Sequence, residues 1–480
     1  MQMNEAEFRR LGYQAVDLAA GYLADLPTRP VFQRMKEGER EALLSMSMPA
    51  APLSGDEILR LVAEQILPHP MGNGHPRFFG WVNSPPAWMA VITEILAAAM
   101  NPSCAGGDHA AIYLEHCVLR WVMQLLDFPI EGSAGLLVSG GSAASLTGLA
   151  AARHRALRDI GIDVRKQGVT DAKLRLYAST QVHSCVQKAV ELLGLGSDCI
   201  RWIGVDDEFR ISLDELRLSI REDRQAGWRP FCIVASAGSV NMGAIDPFHE
   251  LADVAQESGL WLHVDGAYGA LAAIAAPGKF DGLALADSLS LDPHKWLYQP
   301  LDCGCLLYRD VGAARNAFTY TGNYAKQLSS DPVEGFAFFE ESIELSRRFR
   351  ALKLWLSLRY YGLRAYRAAI QQDLDHAQRL AEAIERSASL ELLGPVELSA
   401  VCFRHILNED TSEEVRNRFN LALLKRIVAR GKVYLSNAEL RGKFCLRACI
   451  VNHRTKETDI DAVVSEVLEI APRVASELAK

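Results

Sequence analysis

Hydrophobic positions recur at two different periods along this chain, and the change from one to the other divides it. In EFRRLGYQAVDLAAGYLADLP, residues 7–27, Phe8, Leu11, Ala15, Leu18 and Tyr22 stand three to four residues apart. That spacing predicts an amphipathic helix closed by Pro27. A looser stretch with Pro49 and Pro52 follows, then a second helical pattern from Asp56 to Leu67. AVITEILAAAM, residues 90–100, is too short to span a membrane, which takes roughly 20 apolar residues, and Glu94 interrupts it; a buried helix is expected.

From about residue 134 short apolar runs alternate with helical segments. AGLLVSG, LRLYAS, FCIVASAG, GLWLHVDGA and DSLSLDPHKW read as five strands. Between them lie helical patterns such as ASLTGLAAARHRAL and DPFHELADVAQESG. Near-continuous apolar strands alternating with helices predict a mostly parallel sheet covered on both faces, an α/β fold. In such sheets ligands collect at the carboxyl ends of the strands. RRFRALKLWLSLRYYG, residues 347–362, predicts a long connecting helix. LELLGPVELSAVCFRH, KFCLRACIVNH and a terminal helix from about Glu457 suit a smaller α+β domain. The expected division is an N-terminal helical segment (1–75), a large α/β domain (76–365) and a small C-terminal α+β domain (366–480).

Net charge is −8 over 480 residues, with no basic tract, which argues against nucleic-acid and anionic-membrane partners. The N-terminus carries charges throughout and lacks the apolar core of a signal peptide, so a cytoplasmic protein is expected. Ten cysteines are scattered without a CxxC pair; neither a metal site nor a disulfide framework is expected, and most should be small core residues.

Four candidate groups sit at the ends of the predicted strands. In VSGGSAAS, Gly140 and Gly141 permit close backbone approach and Ser142 opens a helix, which suits either a phosphate cradle or a plain capped turn. His183, after LRLYAS, could stack on a flat ligand, transfer a proton, or cap the helix that follows. Asp265, ending GLWLHVD, could face a protonated heterocycle nitrogen or simply start a turn with Gly266. Lys295, between His294 and Trp296, is either a solvated strand-end lysine or a nucleophilic amine. One cofactor uses all four at once: an amine for its carbonyl, a carboxylate for its ring nitrogen, a flat partner and a phosphate site. That cofactor is pyridoxal 5′-phosphate.

With those motifs in order, the chain resembles the group II pyridoxal-phosphate amino-acid decarboxylases, the family of aromatic-L-amino-acid, histidine and glutamate decarboxylases. The likeness covers nearly the whole length. It runs through the N-terminal helix, HPRFFGWVNSPP, VSGGSAAS, VHSCVQKA, WLHVDGAYGA and DPHKWL. The resemblance implies the type I pyridoxal-phosphate transferase fold, like aspartate aminotransferase, and a homodimer with active sites at the interface. It implies Lys295 as the internal aldimine lysine, Asp265 at the pyridine nitrogen and His183 stacked on the ring. Ala267 would pack near the ring, Gly141 and Ser142 would take the phosphate, and Ser236 and His294 would lie beside the cofactor. HPRFFGWVNSPP resembles the substrate-side loop, which makes Trp81 and Ser84 candidate substrate residues.

Three departures from the aromatic-decarboxylase pattern matter. The Asn that commonly precedes Pro-His-Lys is Asp292 here, expected to point away from the phosphate or to find a cation. The family's mobile loop carries a proton-donating tyrosine, but this chain has Phe338 nearest that position and no tyrosine from 325 to 359. In relatives of that pattern, loss of the tyrosine favours oxidative deamination to an aldehyde. NPSCAGGDH, residues 101–109, is rich in small residues where the family places bulky ones. The expected activity is decarboxylation of an L-amino acid, with an aromatic one as candidate, to the amine and CO2. An aldehyde synthase and an aminotransferase using Arg447 as carboxylate clamp are the alternatives on this fold. A hydrolase with Ser142 as nucleophile and His263, His294 or His453 as base is the remote one.

Overall fold

The computed structural model describes residues 3–319 and 336–478. The chain divides into two compact units, one of Pro86–Asp375 with Gly394–Ala400, the other of Met1–Pro85, His376–Leu393 and Val401–Lys480. Strands are numbered along the chain: β1 Phe78–Phe79, β2 Ala134–Val138, β3 Leu174–Ser179, β4 Ile200–Ile203, β5 Arg229–Ser236 and β6 Trp261–Asp265. They continue as β7 Ser288–Leu291, β8 Gly304–Tyr308, β9 Leu390–Leu392, β10 Ala400–His405, β11 Tyr434–Leu440 and β12 Lys443–Cys449.

In the first unit seven strands form one sheet in the order β2-β8-β7-β6-β5-β3-β4. β4, β3, β5, β6 and β7 run parallel, and β8 is antiparallel to both its neighbours. All six residues of β3 and all five of β6 are buried, as strands covered on both faces require. The covering helices include Gly141–Arg158, Cys185–Leu192, Leu213–Gln225 and Phe248–Ser258. The last ends at Gly259, whose φ of 65° closes the helix in the left-handed conformation that glycine adopts without strain. β4 and β8 are additions to the five strands expected from the apolar pattern.

Register matters more to function than strand count. Ser236 pairs with Asp265, and Asp265 with Ser290, across β5, β6 and β7. β5 and β6 therefore end on one rung, with β7 running one residue further, and the candidate residues gather above it. A buried ion pair secures the edge: Arg347 and Glu115 are both almost wholly enclosed. Glu115 accepts from the Leu137 N–H at 2.9 Å, and Arg347 donates to the Leu137 carbonyl at 2.7 Å and the Cys104 carbonyl at 2.7 Å. The clamp grips β2 just before it enters the Ser139–Gly141 turn, and removing either partner alone would strand a buried charge.

The expected long helix spans Arg350–Glu385, with a break at Gly362, where φ is 73°. The Trp88–Met100 helix forms as predicted but is not buried within the chain. Only Ala90 and Thr93 are enclosed, while Ile92, Ile95 and Leu96 are each about half exposed. The apolar run was correctly read as helix; what it lacks within one chain is a covering surface.

In the second unit five strands order as β1-β11-β12-β10-β9. The N-terminal helix covers Glu5–Asp25, and the terminal helix Glu457–Leu478. Nine of the ten cysteines are buried free thiols, Cys117 being half-buried.

Candidate active site

The turn after β2 starts the site. Gly140 caps the Gly141–Arg158 helix, and its first residues are Gly141 and the exposed Ser142. A Cβ on Gly141 would stand 2.6 Å from the Ala267 Cβ, so only glycine lets the turn approach β6 this closely. β8 presses from the other side: a Cβ on Gly304 would lie 2.4 Å from the Gly140 Cα.

Asp265 ends β6 and is buried. Its Oδ1 accepts from the Ala267 N–H at 3.1 Å and the Ser290 hydroxyl at 3.2 Å, while the Cys185 thiol lies 3.8 Å from Oδ2. Below it a chain of polar side chains crosses the sheet. The Ser290 and Ser145 hydroxyls are 3.4 Å apart, Ser145 is 3.3 Å from His263 Nε2, and His263 Nδ1 is 2.8 Å from Ser288 Oγ. Trp261 donates to the same Ser288 oxygen. Sequence reasoning missed Cys185, Ser145, Ser288 and Ser290; the signal was the pair of serines alternating with leucines in a strand otherwise fully apolar.

Burial holds the His263 imidazole neutral and pushes its pKa down to about 4, against the opposing pull of Asp265. A histidine depressed in the folded state adds stability above its ordinary pKa, and that stability is lost as pH falls toward 4. Unfolding free energy is therefore expected to drop by up to about 3 kcal/mol on this account between pH 6.5 and 4. Urea unfolding of the chain and of His263→Gln across that window checks it, since the variant should lose less; equal losses would refute it.

Lys295 lies on the single helical turn Pro293–Trp296, after β7. Its ammonium is 2.9 Å from Asp292 Oδ2, and its side chain is only 17% exposed. His294 Nδ1 accepts from the Cys303 N–H at 3.2 Å, and its Nε2 is 3.5 Å from the same Asp292 oxygen. Burial lowers the His294 pKa, with Asp292 pulling it back. Asp292 does find a cation, as expected, but it does not point away from the turn. Its Oδ2 is 3.3 Å from where a Cβ on Gly141 would be, and its buried Oδ1 has no hydrogen-bond partner among the described residues.

His183 follows β3 and is an exposed residue. Its Nδ1 accepts from the Cys185 N–H at 3.2 Å, which leaves the proton of the neutral ring on Nε2. Partial desolvation lowers its pKa; Asp265 raises it and Lys295 lowers it, which puts all three within electrostatic reach. The Ser236 N–H donates at 2.7 Å to Asp246, whose pKa burial raises to about 6. Gly141, Ser142, His183, Ser236, Asp265, Ala267, His294 and Lys295 thus meet at the carboxyl ends of β3, β5, β6 and β7 and the adjoining turn.

Three candidates remain, Phe338 in the same unit and Trp81 and Ser84 in the other. Phe338 is fully buried, its ring 5.0 Å from His116 and 4.7 Å from Phe336, with the Arg347 guanidinium 4.5 Å from its centroid. The loop residues 325–335 expected before it lie outside the described residues. Trp81 and Ser84 belong to the other unit. Trp81 is 49% exposed with a φ of 52°, and its ring is 5.5 Å from Tyr434. Ser84 is buried, its carbonyl accepting from Asn73 at 3.1 Å. Arg447 is buried and donates to the Trp81 carbonyl at 2.9 Å, which favours a structural role over the carboxylate clamp of an aminotransferase. The hydrolase alternative fares no better, because His263 bonds Ser145 and Ser288, and His294 bonds the Cys303 amide.

Known proteins resemble the chain along most of its length. The family described as a pyridoxal-dependent decarboxylase conserved domain matches residues 37–406. The aromatic-L-amino-acid decarboxylase of Bacillus atrophaeus is 36% identical, over 99% of this chain and 98% of its own. The phenylacetaldehyde synthase of Petunia hybrida is 31% identical, over 96% of this chain and 93% of its own. The crystal structure of Oryza sativa TDC with PLP and tryptamine superposes with a TM-score of 0.91 at 28% identity, covering all of both chains.

Proposed function

The chain belongs to the pyridoxal-dependent decarboxylase family, and on that premise we propose that it decarboxylates an aromatic L-amino acid to its amine. It is a carboxy-lyase, and pyridoxal phosphate is its cofactor. The observation that carries the residue assignment is the convergence of Lys295, Asp265 and the Gly140–Ser142 turn on one end of the sheet.

The residues fit the cofactor. Lys295 would hold its carbonyl carbon, Asp265 its ring nitrogen, and Gly141 with Ser142 its phosphate at a helix N-terminus. His183 and Ala267 would flank the ring, with Ser236 and His294 beside them. The close approach of Gly141 to Ala267, which a Cβ would block, leaves room beside the turn for a bound group. Once bound, the cofactor supplies an electron sink for the pair released when the bond between Cα and the carboxylate breaks. Asp265 keeps a proton on the ring nitrogen, and the Ser290 hydroxyl and Ala267 amide fix its rotamer. His183, neutral with its proton on Nε2, is suited to exchange that proton near the substrate.

An aromatic substrate is supported by the names of the relatives, and Trp81 and Ser84 are the candidate residues for it. A homodimer is supported by the exposed apolar faces of the Trp88–Met100 helix and of the Glu5–Asp25 helix, where Phe8 and Tyr13 are more than half exposed. A second copy would cover them. No helix among the described residues is long and apolar enough to cross a membrane, and buried free thiols suit the cytoplasm.

Phe338 favours a second reading. With no hydroxyl there to return a proton to carbon, molecular oxygen could instead take the electrons, turning amino acid, oxygen and water into aldehyde, carbon dioxide, ammonia and hydrogen peroxide. A panel of aromatic, acidic and aliphatic L-amino acids, scored for all these products, tests both readings. Aromatic substrates are expected to dominate, with carbon dioxide matched by amine. Carbon dioxide matched by aldehyde and peroxide would establish the second reading, and turnover confined to acidic substrates would overturn the aromatic one.

A further inference from the structure

Asp292 is the one residue of the cluster whose chemistry runs against the cofactor it lines. Its side chain is 5% exposed and faces the glycine turn, with Oδ1 lying 3.7 Å from where a Cβ on Gly140 would be and Oδ2 3.3 Å from that on Gly141. Oδ2 is engaged by Lys295 and approached by His294 Nε2, whereas Oδ1 is buried with no partner among the described residues. A buried carboxylate oxygen without a donor is costly, and an entering phosphate brings only more negative charge and more acceptors. The ammonium that balances Asp292 belongs to Lys295, the amine that must give up a proton to react with a carbonyl.

We infer that Asp292 couples cofactor loading to proton uptake: it accepts a proton when a phosphate ester enters the Gly140–Gly141 turn, and the protonated carboxyl then donates to that phosphate. The inference rests on reading the turn as the phosphate site.

Lys295 can pass a proton to Asp292 on reacting with a carbonyl, but it does so with pyridoxal as with pyridoxal phosphate. Lys295 and His294 face Asp292 from its own turn, and the helix opening at Gly141 contributes no charged side chain there. Cys303 and Cys305, which feel the Asp292 charge from β8 and the residues before it, are thiols held neutral by burial, Cys303 being pushed up to about 12. Lys353, Arg350 and Asp302 lie beyond Cys303 and are paired, Arg350 with Asp302 and Lys353 with Glu94. His183 and Asp265 complete the charges on the open side.

The test is cofactor binding, not turnover. Full-length protein stripped of cofactor is titrated with pyridoxal phosphate from pH 6 to 9, as wild type and as Asp292→Asn, and with pyridoxal, which lacks the phosphate. Wild-type affinity is expected to weaken as pH rises relative to the variant, the gap reaching about tenfold or more at high pH in favour of asparagine. Loss of the Lys295 counter-ion acts on both aldehydes alike, so with pyridoxal the gap between the two proteins at high pH should be smaller by about tenfold. Calorimetry of the wild type in two buffers of different ionisation enthalpy supplies a check that needs no variant. It should register about one more proton taken up with pyridoxal phosphate than with pyridoxal. Parallel pH profiles, an equal gain with pyridoxal, or no extra proton would overturn the inference. Wild type that binds pyridoxal phosphate no better than pyridoxal at any pH would instead overturn the phosphate-site reading beneath it.

Discussion

Lys295→Ala is expected to yield a folded, colourless protein with carbon dioxide release reduced by roughly a thousandfold or more, about 4 kcal/mol of barrier. No other lysine is brought to this rung of the sheet by the turn after β7. The substitution also removes the cation 2.9 Å from Asp292, and a carboxylate buried without its partner is expected to take up a proton or cost stability. A modest fall in melting temperature should therefore accompany the loss of colour. The absorption spectrum of the purified variant after incubation with pyridoxal phosphate, read beside its circular dichroism, decides the matter. A retained visible band of protein-bound cofactor would remove Lys295 from its role.

Phe338→Tyr is expected to act on product identity rather than on rate alone. General acid catalysis is worth roughly a hundredfold or more, so restoring a phenol should raise the amine-to-aldehyde ratio by at least about tenfold. The new hydroxyl enters a dry pocket against His116, whose pKa burial and the nearby Arg315 and Arg347 lower, and beneath Arg347 itself. An unsatisfied hydroxyl there costs about 1–3 kcal/mol, so lower stability should come with the change in product. Amine, aldehyde and peroxide measured side by side for wild type and variant provide the readout. An unchanged ratio would mean that this position does not govern the fate of the carbon.

Much of this architecture was legible because burial on both faces writes a strand as an unbroken apolar run. LRLYAS, FCIVAS and WLHVD could be read that way, and the end of WLHVD marked Asp265 as a candidate, whereas Ser236 entered only through the family resemblance. β4 was not legible: IRWI is four residues at the sheet edge with Arg201 and Trp202 facing outward, too short to show a period. β8 escaped because GCLLY follows the Lys295 turn closely and runs antiparallel, a connection that the βαβ pattern does not anticipate. Long-range pairs were beyond reach as well. Nothing local to Glu115 or Arg347 announces that they meet across 232 positions. The turn chemistry of Asp292 was half legible, since its need for a cation follows from its charge, whereas its orientation depends on how tightly the glycines pack.

The shared rung of Ser236, Asp265 and Ser290 also makes the protein's colour a gauge of folding fidelity. Successive side chains of a strand point to opposite faces, so a slip of one residue in β6 would turn Asp265 away from the site while leaving the hydrogen bonds of the sheet nearly complete. A slipped chain would pass tests of secondary structure yet hold no cofactor in its working geometry. The ratio of cofactor absorbance to total protein absorbance therefore reports the fraction of chains in register, and a preparation can be graded by that ratio before any substrate is added.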